Sequence, residues 1–206
     1  MSHGVVPDRL AEGARAGISP LARALAGIGI SANAVTVAGG VLTVVGAGLL
    51  AAGSPLPALL VLLVGTLADT LDGQLAKASG GGTRLGAFLD STVDRIADGA
   101  LFVGAAASGA NLGQPLLLWS SLVALVASSL VPYVRAKAES LGVGASVGPA
   151  PREARIVIFL VGLAAWAVFD AQALFVAAVL ALALLSSITF VLRVVHVGRQ
   201  LSTKER

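Results

Sequence analysis

The chain has no cysteine among its 206 residues. That excludes disulfides, thiolate nucleophiles and cysteine-ligated metals. Charge is nearly as scarce: 12% of residues are Asp, Glu, Lys or Arg, and 56% are hydrophobic, whereas a soluble domain carries about 25% charged residues. Aromatics make up 4%, and no aromatic-rich basic surface is legible, so nucleic acid is discounted as a partner. The opening residues 1–23 mix Asp8 and Glu12 with Arg9, Arg15 and Arg23 and have no compact apolar centre, so they do not read as a signal peptide. Neither an internal repeat nor a second domain is evident.

What fills the chain instead is long apolar sequence. Ala24–Ala68 and Gly99–Val134 hold no charged residue, and Ile156–Leu192 holds one, Asp170. A membrane-crossing helix needs roughly 20 apolar residues, so each run is long enough for two. Each also has a turn signal near its middle: "AGSPLP" at 52–57, "SGANLGQP" at 108–115 and "FDAQ" at 169–172. The spacing predicts an all-α fold with six transmembrane helices over 32–52, 56–78, 84–107, 115–140, 152–169 and 172–197.

The basic residues agree with that layout. The three turn signals carry none of the fourteen Lys and Arg, which fall in the tails and around the alternate connections, with Arg95 inside the third helix. Such a bias marks the cytoplasmic side and places both termini there, in the plasma (inner) membrane. Leu10, Ile18, Leu21 and Leu25 lie near one helical face, which predicts an amphipathic interfacial helix over 7–25. The expected organisation is one membrane domain, 1–206, with its six-helix bundle at 32–197.

Against this background, five of the eleven acids fall between 68 and 100. At about 100° per residue, Asp69, Asp72, Gly73 and Ala76 share one face of the second helix. Gly86, Asp90 and Asp94 share a face of the third. The short link "SGGGT" makes the two helices candidate antiparallel neighbours, with four carboxylates facing one another. Intramembrane acids are costly and point to function. Lys77, Arg84 and Arg95 cannot neutralise such a focus, but divalent cations can. Mg²⁺ takes oxygen ligands and is commonly completed by substrate phosphates, and a pair of ions can clamp a phosphoryl group in flight. Asp98, one turn further on, is expected to pair with Arg95 or another polar neighbour rather than to bind metal.

The stretch "DTLDGQLAK", a gap of eight, then "GAFLDSTVD" resembles the signature of the CDP-alcohol phosphotransferase family. Asp69, Asp72, Gly73, Ala76, Gly86, Asp90 and Asp94 match it in type and spacing, and the six-helix layout resembles the family over the whole chain. Lys77 stands where the family has Arg, a point charge in place of a bidentate fork. The resemblance implies transfer of a phosphatidyl group from CDP-diacylglycerol to an alcohol, with release of CMP. It implies two Mg²⁺ ions, with Mn²⁺ as the alternative, on Asp69, Asp72, Asp90 and Asp94, and Asp94 as the general base. It implies CDP contacts at Gly73, Lys77, Thr83 and Asn33, the last from "SANAVT" at 31–36, where Ser31 or Asn33 also reads as a plain helix cap. It implies a homodimer in the lipid bilayer.

For the acceptor, "PYVRAKAESLG" and "VGPAPREAR" resemble the actinobacterial phosphatidylinositol phosphate synthases within the family, which use inositol 1-phosphate. Arg135, Lys137, Arg152, Arg155 and Arg193 form a cationic ring near the aspartates, and a phosphorylated acceptor needs one. Arg135 and Lys137 stand about 200° apart, so both cannot point straight into one pocket. Arg135, Lys137, Arg155 and Arg193 are the expected phosphate ligands, with lipid-interface anchoring as the plainer role, above all for Arg152 and Arg135. Glycerol 3-phosphate is the competing acceptor. An intramembrane prenyltransferase and a small ion carrier are the readings from other classes. The first keeps its Asp motifs in separate halves of the chain, and the second needs a polar path that the far halves of these helices lack.

Overall fold

The structure, a computed structural model, describes residues 19–149 and 151–204. Its regular structure is all helical: α1 (Ala32–Ala51), α2 (Pro55–Ala78), α3 (Arg84–Asn111), α4 (Pro115–Ser140), α5 (Arg152–Phe169) and α6 (Gln172–Lys204). Residues 19–27 form a further helical segment whose Ala22 is buried. The rest of the expected interfacial helix lies outside the described residues.

Local chemistry sets the helix ends. Ser31 caps α1, its Oγ accepting from Ala34 N at 3.2 Å, and Thr83 caps α3, its Oγ1 accepting from Gly86 N at 2.9 Å. Proline opens α2 and α4, where its missing N–H costs nothing. Asp170, at φ 54°, closes α5 in the left-handed region. Two expected boundaries move. α3 runs on to Asn111 rather than stopping at 107: Gly109 serves close packing against α4, and the Asn111 amide donates to Ala51 O at 2.9 Å. α6 continues past 197 to Lys204.

By length and composition, four helices can cross a membrane: Ala32–Ala51, Pro55–Ala78, Pro115–Ser140 and Gln172–Thr203. α3 and α5 are long enough but carry their charges clustered toward their first halves.

The helices close into a ring in the order α1, α2, α5, α6, α4, α3, each packed on the two beside it. This corrects the expectation that α2 and α3 are direct neighbours, since no Cα of one lies within 8 Å of the other. α1 stands against both and spaces them. It does so with almost no side chain in the way. A Cβ on Gly104 of α3 would lie 2.5 Å from Ala47 O, and one on Gly65 of α2 would lie 3.1 Å from Gly39 O. Small residues that let backbones approach are the usual glue of helices in lipid. On the far side of the ring the filler is aromatic. Phe102, Phe159, Phe175 and Trp166 meet in sequence at centroid distances of 6.0, 5.3 and 5.6 Å, over buried Leu163, Val179 and Leu182.

Candidate active site

The gap between α2 and α3 receives the acidic side chains. One oxygen each from Asp69, Asp90 and Asp94 lies within 4.8 Å of the others. Three hard oxygen donors from two helices at that separation fit a divalent cation. The fourth motif aspartate is turned to α1: Asp72 is buried, and Thr36 Oγ1 donates to its Oδ2 at 2.6 Å. Thr36 was missed in the sequence, although it stands three residues after Asn33 in "SANAVT". A Cβ on Gly73 would meet nothing within 4 Å, which leaves space beside the carboxylates.

Arginine enters this acidic ground from α5. Arg152 Nη2 lies 2.8 Å from Asp94 Oδ1, Nη1 3.3 Å from Asp69 Oδ2, and Nε 3.1 Å from Asp98 Oδ1. The other oxygen of Asp98 accepts from Arg155 Nη2 at 3.1 Å. Asp98 thus pairs with both α5 arginines rather than with Arg95, which lies 3.9 Å from Asp94. Arg152 is the second residue that sequence reasoning underrated. Its signal was the i, i+3 pair with Arg155 at the start of a helix, which is also what a plain interface anchor looks like.

Beyond Arg152 lies a cavity of about 710 Å³, and Arg95, Arg135, Arg152, Arg155 and Arg193 all line it. Arg155 is buried. Arg135 is exposed and pairs with Glu139 at 2.9 Å. Arg193 Nε donates to Val147 O and Nη1 to Val131 O, both at 3.0 Å, so it also pins the α4–α5 connection onto α6. Val143 and Ala145 of that connection pack beside Val197 and Leu201. Lys137 is exposed on the last turn of α4.

The residues expected to contact CDP stand on α1, α2 and the start of α3. Ser31 takes the cap of α1, so Asn33 is spared that task, and its Oδ1 sits 3.0 Å from where a Gly86 Cβ would be. Thr83 spends its acceptor on capping α3 and stands exposed with its own proton available. Lys77 is exposed in the last turn of α2.

Comparison with known proteins agrees with this geometry. Residues 30–197 match the family model for CDP-alcohol phosphatidyltransferase. The phosphatidylinositol phosphate synthase of Mycolicibacterium smegmatis is 40% identical over 145 residues, covering 69% of this chain and 65% of that protein. The match to the Mycobacterium marinum protein of that name covers 62% of its length, so the chain spans just under two thirds of these relatives. The archaetidylinositol phosphate synthase of Pyrococcus horikoshii is 33% identical over 88% of this chain and 90% of its own length. Among solved structures, Mycobacterium tuberculosis phosphatidylinositol phosphate synthase in complex with manganese and citrate superposes with a TM-score of 0.81 at 34% identity, over 87% of this chain and 88% of that one. The same enzyme with CDP-DAG bound gives 0.78 over 87% and 92%.

Proposed function

This chain belongs to the CDP-alcohol phosphatidyltransferase family, and from that premise we propose that it moves the phosphatidyl group of CDP-diacylglycerol onto a hydroxyl of inositol 1-phosphate. The products are phosphatidylinositol phosphate and CMP. The observation that carries this reading is the meeting of Asp69, Asp90 and Asp94 within 4.8 Å beside a cavity of about 710 Å³ lined by five arginines. One region suits the ions that hold a diphosphate, the other an acceptor with a phosphate of its own.

Each residue then has a task. Asp69, Asp72, Asp90 and Asp94 would hold two divalent ions, Mg²⁺ or Mn²⁺, which supply charge neutralisation and polarise the phosphorus under attack. Asp94 takes the proton from the attacking hydroxyl. The oxygen of that hydroxyl bonds to the phosphorus that carries diacylglycerol, the bond from that phosphorus to the bridging oxygen breaks, and CMP leaves. Asn33, Gly73, Lys77 and Thr83 hold the CDP part. Arg135, Arg155 and Arg193 hold the acceptor phosphate from the cavity wall, where charge-assisted arginine contacts are among the stronger hydrogen bonds, and Lys137, exposed and outside that lining, adds its charge from the end of α4. All six helices cross the bilayer with the acidic end cytoplasmic, and two copies pair as a homodimer.

CMP release by the purified protein with CDP-diacylglycerol and a panel of alcohols tests the reading. Inositol 1-phosphate is expected to outpace free inositol, serine and glycerol. Faster release with glycerol 3-phosphate would reassign the acceptor and leave the family chemistry standing. The orientation has its own test, because the chain has no native cysteine. Ser79→Cys should label from the cytoplasmic side and Ser54→Cys from the opposite one.

A further inference from the structure

Arg152 lines both the acidic cleft and the arginine-walled cavity. Its two terminal nitrogens lie on Asp69 and Asp94, at 3.3 and 2.8 Å. Both of those carboxylates belong to the cluster suited to an ion. Its inner nitrogen, Nε, lies 3.1 Å from Asp98, which is outside that cluster and is itself held from behind by Arg155. One end of the guanidinium therefore occupies metal-binding ground, while the other is tethered beyond it.

We propose that Arg152 is a resident counter-cation that a divalent ion displaces, and that its release hands a positive charge to the acceptor cavity. This rests on the functional reading above. Before an ion binds, Asp69 and Asp94 face each other in a partly buried site where, among the described residues, the only other cation in reach is Arg95, 3.9 Å from Asp94, and Arg152 supplies the closer charge to both. A carboxylate oxygen that ligates a cation is lost to the guanidinium, and the two positive charges repel. The tether to Asp98 then keeps Arg152 in the wall between the cavities, with its terminal nitrogens facing the one where Arg155 and Arg193 already stand. Metal loading therefore strengthens acceptor binding, and by linkage the acceptor strengthens metal binding.

A fixed structural ion pair and a displaceable one differ in the sign of a single measurement. Full-length protein in lipid nanodiscs, stripped with EDTA, is titrated with Mn²⁺ by calorimetry in the absence of substrate. Arg152→Gln removes the competitor and is expected to bind Mn²⁺ roughly tenfold more tightly or better, the scale of one charged contact. Equal or weaker binding overturns the proposal. Should the glutamine variant not purify folded, Arg152→Lys carries the test, because it keeps the charge but loses the fork. Several-fold tightening supports displacement, and no tightening overturns it. The hand-over has a separate readout: in Arg152→Gln the KM for inositol 1-phosphate should rise while that for CDP-diacylglycerol holds, and an unchanged acceptor KM refutes it. Mn²⁺ binding is read with no alcohol present, so a wild-type chain that prefers another acceptor sinks the functional reading alone.

Discussion

The two cavities that share Arg152 differ in size and in sign. The acidic cleft, walled by Asp69, Asp94 and Asp98 with Thr36 and Gly39 at its back, has a volume of about 30 Å³. That is room for a water or a few ions and little else. The arginine-walled cavity measures about 710 Å³, the range of small-molecule pockets. One collects negative charge where only an ion fits, the other positive charge where a polar molecule fits. The excess in each is one-sided: three carboxylates against Arg152 in the cleft, five arginines against Glu139 and Glu153 in the larger cavity. Packing contributes to the difference: Gly39 and Gly40 of α1 and Gly65 of α2 line the cleft and let the helices close around it.

The sharpest way to break the comparison is to remove charge from the carboxylate cluster, two of whose members, Asp69 and Asp94, wall the smaller cavity. Asp90→Asn should abolish turnover, since one carboxylate serves the shared cluster. Asp94→Asn should cost about 10²–10⁴-fold in kcat, the range for loss of a general base. Both variants should bind Mn²⁺ more weakly in the absence of substrate, and CMP release reads the rate. An Asp90→Asn protein that turned over normally would detach the chemistry from the carboxylate cluster. The larger side is tested next. Arg155→Ala should raise the KM for inositol 1-phosphate by about ten- to a hundredfold, from loss of a charged contact worth roughly 1.5–3 kcal/mol, with the CDP-diacylglycerol KM nearly unchanged. Arg155 is also paired with buried Asp98, so thermal unfolding is followed alongside. A uniform loss in both KM values would mean that the two cavities are not separate sites.

Much of this division was legible in the sequence. Turn signals placed the start of each of the six long helices within a residue, because proline and glycine act locally, but they left the ends of α3 and α6 several residues short. The 3.6-residue period put the four aspartates on two faces, and a motif with seven matching positions named the chemistry. What periodicity does not give is which faces meet. The link between α2 and α3 made them neighbours on paper, yet Gly39 and Gly104 bring α1 into the contacts that hold them apart. Thr36 escaped notice because its role depends on that insertion. Arg152 was hidden by context, since a basic residue at a helix start near the membrane surface reads as an anchor until its carboxylate partners are known.

Packing supplies the third prediction. Gly104→Ala puts a methyl within 2.5 Å of the Ala47 carbonyl, backbone that cannot swing aside. Overpacking of this kind costs roughly 1–3 kcal/mol. Thermal unfolding in detergent should show it, along with a loss of Mn²⁺ affinity as α1 and α3 separate and the cleft loosens. Gly73→Ala is the control, because its methyl meets nothing within 4 Å. It should leave stability intact and act, if at all, on the KM for the CDP-lipid. Equal melting temperatures for wild type and Gly104→Ala would show that close approach of α1 is not what holds the cleft shut.

The smallest expected effect falls at Lys77, outside both cavities. It is exposed in the last turn of α2, one turn beyond Gly73, where a diphosphate held over the cleft would extend. As an ammonium on a flexible stem it offers a point charge, whereas an arginine offers two parallel donors. A solvent-facing contact of this kind contributes little, because water competes for both partners. Lys77→Ala should therefore raise the KM for CDP-diacylglycerol by about two- to tenfold, the net worth of one ordinary hydrogen bond, and leave the inositol 1-phosphate KM alone. Lys77→Arg should hold or lower the CDP-lipid KM. The selectivity of the effect matters more than its size. If Lys77→Ala left the CDP-lipid KM unchanged, the lysine would be snorkelling to the headgroups. The diphosphate would then be held from the acidic side, without a cation from the end of α2.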